Sequence, residues 1–374
     1  MALQTLGGKC VYACDIDKYC REVYFNNFGI QPDEDITKVN EKDIPEHDVL
    51  CAGFPCQPFS IGGKQMGFED KTRGTLFFDI MRIVNYHKPK YLLLENVKNL
   101  YSHNDGNTWK TIYSSLIEAG YDLLEKPTMF SPHYIGILQN RERVIIMCVR
   151  KDVGTIKKYE FDKKNIKPCT IDSVLLDDKD IENIERYKLN KDLQDLLDLW
   201  GDFLANIKQP LPGFTVFARR FFEEYQNIVA KPSSEKDIRK TDILYQENKD
   251  FIEKWKEKSK KVKMFKESRM IMEYNGVKTT AFNMDNHIVQ LRQSGVRIKT
   301  ATYFPCLVAS IQTPIVYKRK RYITPRECAR LQSFPDSFKI HENDRIAYKQ
   351  FGNSVNIEVI KLFAKHMLAT SEDK

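Results

Sequence analysis

Hydrophobic positions in the first 150 residues form short apolar runs separated by stretches with helical spacing. This alternation is typical of a mostly parallel sheet covered by helices on both faces, so it predicts a doubly wound α/β fold. Ligands of such sheets bind outside the carboxyl ends of the strands. The predicted strands are residues 10–14, 49–52, 91–95 and 144–149, and the predicted helices are residues 19–28, 76–87 and 108–119.

The pattern changes after Arg150. Residues 151–313 are polar, and they show no further alternation of strands and helices. Within them, Asn248 to Arg269 has the periodicity of one long helix, with Trp255 on its apolar face and lysines around the rest. A solvated surface helix and a helix that contacts phosphates are equally compatible with that composition.

Two helix signals follow near the carboxyl terminus. Thr324 is a candidate N-cap, followed by Pro325 and by Glu327 at the capping-box position, and we expect that helix to be stopped by Pro335. Residues 350–355 contain a glycine and predict a turn that opens a final helix through Ala364.

Composition narrows the class of protein only moderately. The 374 residues carry a formal net charge of +8, which favours a polyanionic partner without identifying it. The nine cysteines are scattered through apolar segments without paired spacing, so we predict a reducing compartment and no metal site. No apolar stretch approaches a membrane span, and the first residues lack a signal-peptide core, so we expect a cytoplasmic, nucleoid-associated protein.

Candidate chemistry lies at the ends of successive predicted strands. Cys56 follows the second predicted strand in Gly53-Phe54-Pro55-Cys56, Glu95 ends the third, and Arg141 and Arg143 lead into the last. These groups suit chemistry on an electron-poor ring. The thiol can attack the ring, the carboxyl group can protonate it, and the paired guanidinium groups can bind it. In these motifs and their order, the chain closely resembles the cytosine-5 DNA methyltransferase family.

The resemblance implies a fold and a reaction. The fold would be a Rossmann-like S-adenosylmethionine-dependent methyltransferase sheet with a smaller target-recognition domain. Residues 1–150 would form the catalytic and cofactor-binding domain, residues 151–320 the target-recognition domain, and residues 321–374 the closing motifs. Cys56 would add to carbon 6 of a flipped cytosine, Glu95 would protonate the ring, and Arg143 with Arg141 would hold its oxygen. The product would be sequence-specific 5-methylcytosine in a restriction-modification system.

The resemblance also implies residues for the two substrates. Asp15 would bind the ribose hydroxyls of S-adenosylmethionine and Ile16 its adenine. The rest of the cofactor wall would be Asp35, Ile36, Gly53, Phe54, Pro55, Leu76, Asn353 and Ser354. The candidate DNA-binding residues are Gln57, Ser60, Gly62, Gly63, Lys64 and Arg73 in and beside a mobile loop, with Arg297 and Lys299 in the target-recognition domain. We expect double-stranded DNA and a cognate restriction endonuclease as partners, and a monomeric enzyme.

The chain departs from the family at its start. The family's first strand and glycine-rich turn are missing, and Met1 to Leu6 resembles the tail of the helix that follows them, capped by Gly7 and Gly8. We therefore expect an unfilled slot in the sheet. An upstream start, a strand supplied by another polypeptide and a catalytically silent DNA-binding remnant remain open, as does a tRNA cytosine-5 methyltransferase.

Overall fold

The protein is built from two compact units, seen in a computed structural model that describes residues 1–55, 76–161, 170–208, 212–223, 234–276, 282–309 and 312–369. The first unit combines Met1–Pro168 with Ala329–Lys374, and the second is Cys169–Cys328. Among the described residues, no helix combines the length and apolar character that crossing a bilayer requires.

The first unit is organised around a mixed sheet in the order β1-β2-β5-β3, with β4 also paired to β5. β1 and β2 are parallel, and β5 runs antiparallel to β2. Its elements are α1 (Lys18–Phe28), β1 (Val49–Gly53), α2 (Leu76–His87), β2 (Tyr91–Val97), α3 (Asn107–Glu118), β3 (Tyr121–Leu123), β4 (Thr128–Phe130), β5 (Arg143–Arg150), α8 (Asp344–Asn353) and α9 (Ile357–Ala369).

Alternate side chains of this sheet enter two apolar layers. Leu92 and Leu94 of β2 face α2 and α3, where Phe77 and Ile112 are fully buried. Leu93 between them faces α9. Burial on both faces explains why β2 and β5 read as continuous apolar runs in the sequence.

The predicted strand at residues 10–14 is not formed. Only Cys14 makes an isolated bridge, to Asp33, and none of these five residues is buried. Among the described strands, β1 has a neighbour only on its β2 side. Without a neighbouring ladder, an apolar run has no partner for its backbone groups. Gly7 takes the left-handed conformation expected of a cap, with φ of 87°, after a short 3-10 turn.

The second unit contains a sheet that the sequence pattern did not predict. Its order is β11-β10-β8-β9-β7-β6, antiparallel except for the parallel pair β7 and β9. Its strands are two to six residues long, too short to give a clear period. The elements are α4 (Lys191–Asn206), β6 (Thr215–Phe217), α5 (Glu235–Glu247), α6 (Lys249–Ser259), β7 (Ile271–Asn275), β8 (His287–Arg292), β9 (Gly295–Thr300), β10 (Ile315–Val316), β11 (Arg321–Tyr322) and α7 (Pro325–Leu331).

The core of the second unit is aromatic. Trp200 and Trp255 are fully buried with ring centroids 5.5 Å apart, and the Trp255 indole donates to the Leu199 carbonyl at 3.0 Å. The predicted helix from Asn248 to Arg269 is wrong in its length, because α6 ends at Ser259. The Ser259 hydroxyl donates back to the Lys256 carbonyl, and tight turns follow that still place Phe265 against the core.

The predicted capping box is confirmed and does more than cap a helix. The Thr324 amide donates to Glu327 at 2.6 Å, and the Glu327 amide donates to the Thr324 hydroxyl at 3.2 Å. The same fully buried carboxylate accepts from the Arg321 guanidinium at 2.8 Å and from the Leu176 amide at 2.8 Å. This Glu327 junction joins the beginning of the second unit to its end.

The prediction of a glycine turn over residues 350–355 is wrong. The side chain of Asn343 caps α8, which runs on through Asn353. The final helix, α9, begins only at Ile357, where the Asn356 side chain accepts from the Val359 amide at 3.1 Å. Two asparagine N-caps therefore set the helix starts in this region.

Candidate active site

Glu95 and Arg143 form a largely buried ion pair at one end of the first sheet. Arg143 Nε lies 3.0 Å from Glu95 Oε1, because the start of β5 pairs beside the end of β2. Burial raises the pKa of Glu95, while Arg143 and then Arg141 oppose that shift. The pair therefore presents a carboxyl group that keeps its proton to higher pH than an ordinary glutamate and whose orientation is fixed.

The end of β1 lies beside this carboxyl group. Gly53 is the register partner of Glu95, and a Cβ added at Gly53 would lie 3.5 Å from Glu95 Oε2. The buried amide of Asn96 donates to the Phe54 carbonyl at 2.8 Å. Asn96, which the candidate set omits although it follows Glu95 directly, thus anchors the chain two residues before Cys56.

Several predicted site residues lie outside the described residues, so their positions stay predictions. They are Cys56, Gln57, Ser60, Gly62, Gly63, Lys64 and Arg73.

Arg141 has different main contacts from Arg143. Its side chain is only 3% exposed, and its Nη2 atom donates to the carbonyls of Gly352 and Ser354, both at 2.8 Å. Its amide donates to the Ser131 hydroxyl at 2.9 Å. Arg141 therefore ties the end of α8 to the start of β5, and its charge still acts on Glu95.

Hydrogen bonds link Asp15 and Ile16 to other parts of the first unit. The Asp15 amide donates to the Asp33 carbonyl at 3.0 Å, and Asp15 Oδ1 accepts from the Asp17 amide. Lys349 of α8 contacts Asp17 at 2.7 Å, which brings this segment to α8. Ile16 is 74% exposed, as an apolar residue that packs on a ligand ring would be.

Two further cofactor candidates, Ile36 and Leu76, are linked to the helix α2. Arg82 donates to the Ile36 carbonyl at 2.7 Å, and α2 begins at the exposed Leu76. Asp35 accepts from the Thr37 hydroxyl and amide, and these bonds hold its pKa below the usual range. Asn353 is exposed at the end of α8, and Ser354 is half-buried.

This donor set fits an adenosine group. A carboxylate at Asp15 suits ribose hydroxyls, and the exposed side chain of Ile16 beside it suits an apolar ring. The cofactor roles of these residues remain predictions.

The DNA-binding candidates of the second unit lie on β9. Arg297 Nε is 3.6 Å from Glu273 Oε1. Lys299 Nζ donates to the Tyr303 carbonyl at 2.7 Å and lies 3.0 Å from the centroid of the Tyr303 ring. Burial, reinforced by the charge of Arg297, lowers the pKa of Lys299 to about 7. Both side chains are basic groups held against the sheet.

Solved structures share this fold. A putative DNA modification methyltransferase encoded within an E. coli prophage aligns with a TM-score of 0.57 and 20% identity, covering 100% of this chain and 95% of that one. A mutant of Spodoptera frugiperda DNMT2 aligns with a TM-score of 0.53 and 19% identity, covering 98% and 95%. These likenesses concern the fold, and they confirm the predicted α/β fold.

Sequence relatives define the family. The model of the C-5 cytosine-specific DNA methylase family matches residues 1–369. Type II methyltransferase M.HhaI of Haemophilus parahaemolyticus is 36% identical over 366 residues, covering 97% of this chain and 89% of that protein. Type II methyltransferase M1.ScrFI of Lactococcus lactis subsp. cremoris is 34% identical over 369 residues, covering 99% and 74%. The chain belongs to the C-5 cytosine-specific DNA methylase family and is a methyltransferase, as the motifs predict.

Proposed function

We propose that this enzyme methylates carbon 5 of a specific cytosine in double-stranded DNA through a covalent adduct with Cys56. Its relatives are named Type II methyltransferases, so we place it in a restriction-modification system with a cognate endonuclease. The observation that best supports the reaction is the buried Glu95–Arg143 pair, 3.0 Å apart, beside the strand that leads to Cys56.

The reaction needs a nucleophile and an acid because carbon 5 of cytosine is a weak nucleophile. The Cys56 thiolate forms a bond to carbon 6 while Glu95 gives its proton to ring nitrogen 3, which leaves an electron-rich carbon 5. S-adenosylmethionine, when bound, supplies the methyl group. A water molecule acting as base then takes the proton from carbon 5, the carbon–sulfur bond breaks to release the Cys56 thiolate, and nitrogen 3 returns its proton to Glu95, which restores the neutral aromatic ring.

Arg143 and Arg141 have separate tasks in this scheme. Arg143 orients Glu95 and adds positive charge where the ring accepts electrons. Arg141 fixes the Gly352 and Ser354 carbonyls and so shapes the wall at Asn353 and Ser354. Asp15, Ile16, Asp35, Ile36 and Leu76 would hold the rest of the cofactor.

Base flipping follows from geometry, because carbon 6 of a stacked base cannot meet a protein thiolate. Extrusion costs a few kcal/mol, which contacts to the flipped base and to the displaced strand must offset. Charged residues of the second unit, Arg297 and Lys299 among them, would supply contacts to the DNA around it.

Trapping with 5-fluorocytosine tests the proposal. Fluorine at carbon 5 cannot leave as a proton would, so the wild-type enzyme with S-adenosylmethionine should become covalently joined to such a duplex. Cys56→Ser should abolish both trapping and methyl transfer, because serine is a far poorer nucleophile. Cys51→Ser, five residues earlier at an exposed position on β1, is the matched control and should still be trapped.

Three results would overturn the assignment. Trapping that survives in Cys56→Ser would remove Cys56 from the reaction. Methylation of tRNA but not of any duplex DNA would replace the substrate. Failure to bind S-adenosylmethionine, with DNA binding retained and no methylation, would favour a silent DNA-binding protein.

A further inference from the structure

The sheet of the second unit has one apolar and one polar face. Val289, Val296 and Met272 belong to successive strands and point into the aromatic core. On the opposite face, polar side chains alternate with them at Glu273, Arg297, Lys299, Gln290 and Arg292, beside the buried Ile288. Directly across β7, β9 and β8, the register aligns Glu273, Arg297 and Gln290 in one row.

A second arginine reaches this row. Arg292 of β8 is the register partner of Gly295, which has φ of 146° and where a Cβ would lie 2.6 Å from the Ile271 carbonyl oxygen. The Nη1 atom of Arg292 lies 3.6 Å from Glu273 Oε2. Arg297 Nε lies 3.6 Å from the other carboxylate oxygen.

Positive charge in this cluster exceeds negative charge. Arg292 and Arg297 share the single carboxylate of Glu273, and both contacts are longer than a hydrogen bond. Burial and then the charge of Arg297 lower the pKa of Arg292. The Nε atoms of both arginines are buried without a hydrogen-bond partner within the described residues. The two arginine side chains are still 29% and 25% exposed, so their accessible donors suit a ligand that supplies acceptor atoms.

The carboxylate decides which acceptor is favoured. A phosphate brought to either arginine would also approach Glu273, and like charges repel. The edge of a base pair is neutral. In the major groove, guanine presents two acceptors, O6 and N7, that match the fork of an arginine, whereas thymine and adenine present one acceptor each. Gln290 is only 2% exposed and already donates to the Gln312 carbonyl at 3.1 Å, so it supports the row and does not read a base.

We propose that Arg297, positioned by Glu273 and flanked by Arg292, reads the guanine of one G·C pair in the recognition sequence. This proposal rests on the proposed function, because it names the base that the DNA-binding unit selects. Arg297 would contact the base, and Glu273 would act through Arg297 as a positioning residue.

A random-sequence duplex pool provides the test. Duplexes retained by the wild-type enzyme with S-adenosylhomocysteine are sequenced to give a binding profile, and methylated cytosines are mapped in a parallel reaction. Arg297→Gln should reduce the preference for guanine at one position by roughly 5- to 150-fold while other positions keep theirs. Arg239→Gln, an exposed arginine on α5, is the charge-matched control and should leave the profile unchanged.

The role of Glu273 is tested by a double-mutant cycle. Glu273→Gln should weaken the preference for guanine at the same position, and Glu273→Asp should keep part of that preference. Glu273→Gln added to Arg297→Gln should have no further effect on it. Circular dichroism establishes that each variant is folded.

The two proposals fail in different ways. Absence of methylated cytosine in every duplex would overturn the proposed function. A binding profile of Arg297→Gln that equals the wild-type profile, or one that weakens equally for all sequences, would overturn the assignment of Arg297 as a base reader.

Discussion

The sheet of the first unit holds its candidate chemistry at the strand ends, whereas the sheet of the second unit holds it on one face. At the strand ends, Glu95 and Arg143 come from strands 48 residues apart in the chain and meet at a single point. On the polar face, Glu273, Arg297 and Gln290 are register neighbours in a row.

This difference predicts different responses to substitution. A site at strand ends depends on one or two buried groups, so its loss should change the rate by orders of magnitude. A site on a sheet face is an array in which each side chain contributes a part, so its loss should change the selection of sequences more than the rate. Five predictions test that contrast.

Glu95→Gln should give the largest effect. The amide keeps the shape and cannot deliver a proton as an acid, so we expect single-turnover methyl transfer to slow by about 10²- to 10⁴-fold with an unchanged DNA sequence profile. Glu142→Gln is the control, because that carboxylate pairs with Lys98 at 2.6 Å and should affect the rate little. An unchanged rate in Glu95→Gln would remove this residue from the mechanism.

The pH dependence of Glu95 has a definite sign. Proton donation requires the neutral acid, and burial raises the pKa of Glu95, so the active form should persist above the usual range of a glutamate. The wild-type single-turnover rate should fall as pH rises through that raised pKa. In Glu95→Gln this fall of the rate with pH should be absent. An equal fall in both proteins would show that another group titrates.

Trp255→Ala tests how far the polar face depends on the core beneath it. Loss of the fully buried indole, which also donates to Leu199, should lower the free energy of unfolding by about 3–5 kcal/mol. We expect sequence-specific DNA binding to fall with it, while binding of S-adenosylmethionine, a property of the first unit, is retained. Urea denaturation measures the free energy of unfolding, and calorimetry measures binding of S-adenosylmethionine. A decrease in the free energy of unfolding of less than about 1 kcal/mol would contradict the packing argument.

Lys299→Met should change the pH dependence of stability. The pKa of Lys299 is lowered to about 7, so between about pH 7 and its unfolded value near 10.5 the unfolded state binds more protons. This group therefore makes the wild type more stable as pH rises through that window, and Lys299→Met should lose that rise. Lys240→Met, at a lysine 5.2 Å from the Phe214 ring centroid, is the control. Parallel curves for the wild type and Lys299→Met would refute the expectation.

Glutamine at Lys258, Lys260 and Lys263 should have the smallest effect. Each lysine already pairs with a carboxylate, namely Asp202, Glu257 and Asp192. The slope of log affinity for DNA against log salt should therefore stay nearly constant. If the magnitude of this slope decreased by roughly 0.9 per substitution, the lysines would instead be in contact with phosphates.

Local patterns predicted the first unit better than the second. The bounds of α2 agree residue for residue with the pattern, and β2 and β5 follow from their long buried runs. In contrast, β10 and β11 have two residues each. They pair with one another, and distant residues hold them, because β10 also pairs with β8 and Arg321 of β11 forms a bridge to Lys188. The run at residues 10–14 has strand composition but no ladder among the described residues.

The candidate site also combines features that local sequence patterns predict with features that they do not. The order of Cys56, Glu95 and the two arginines could be predicted from motifs, and in the structure Arg143 Nε lies 3.0 Å from Glu95 Oε1. The bond from Arg141 to Gly352 spans 211 positions, and the bond from Asn96 to Phe54 joins two strand ends. Contacts of that kind depend on tertiary packing, which a local pattern does not contain.

The Glu327 junction has a consequence for how this enzyme could diversify. Because one carboxylate binds both Leu176 and Arg321, the two ends of a stretch of about 150 residues stay close together whatever lies between them. The entropy of closing such a loop grows only with the logarithm of its length. A lineage could therefore exchange the interior between these ends by recombination and acquire a new target sequence while inheriting its chemistry unchanged.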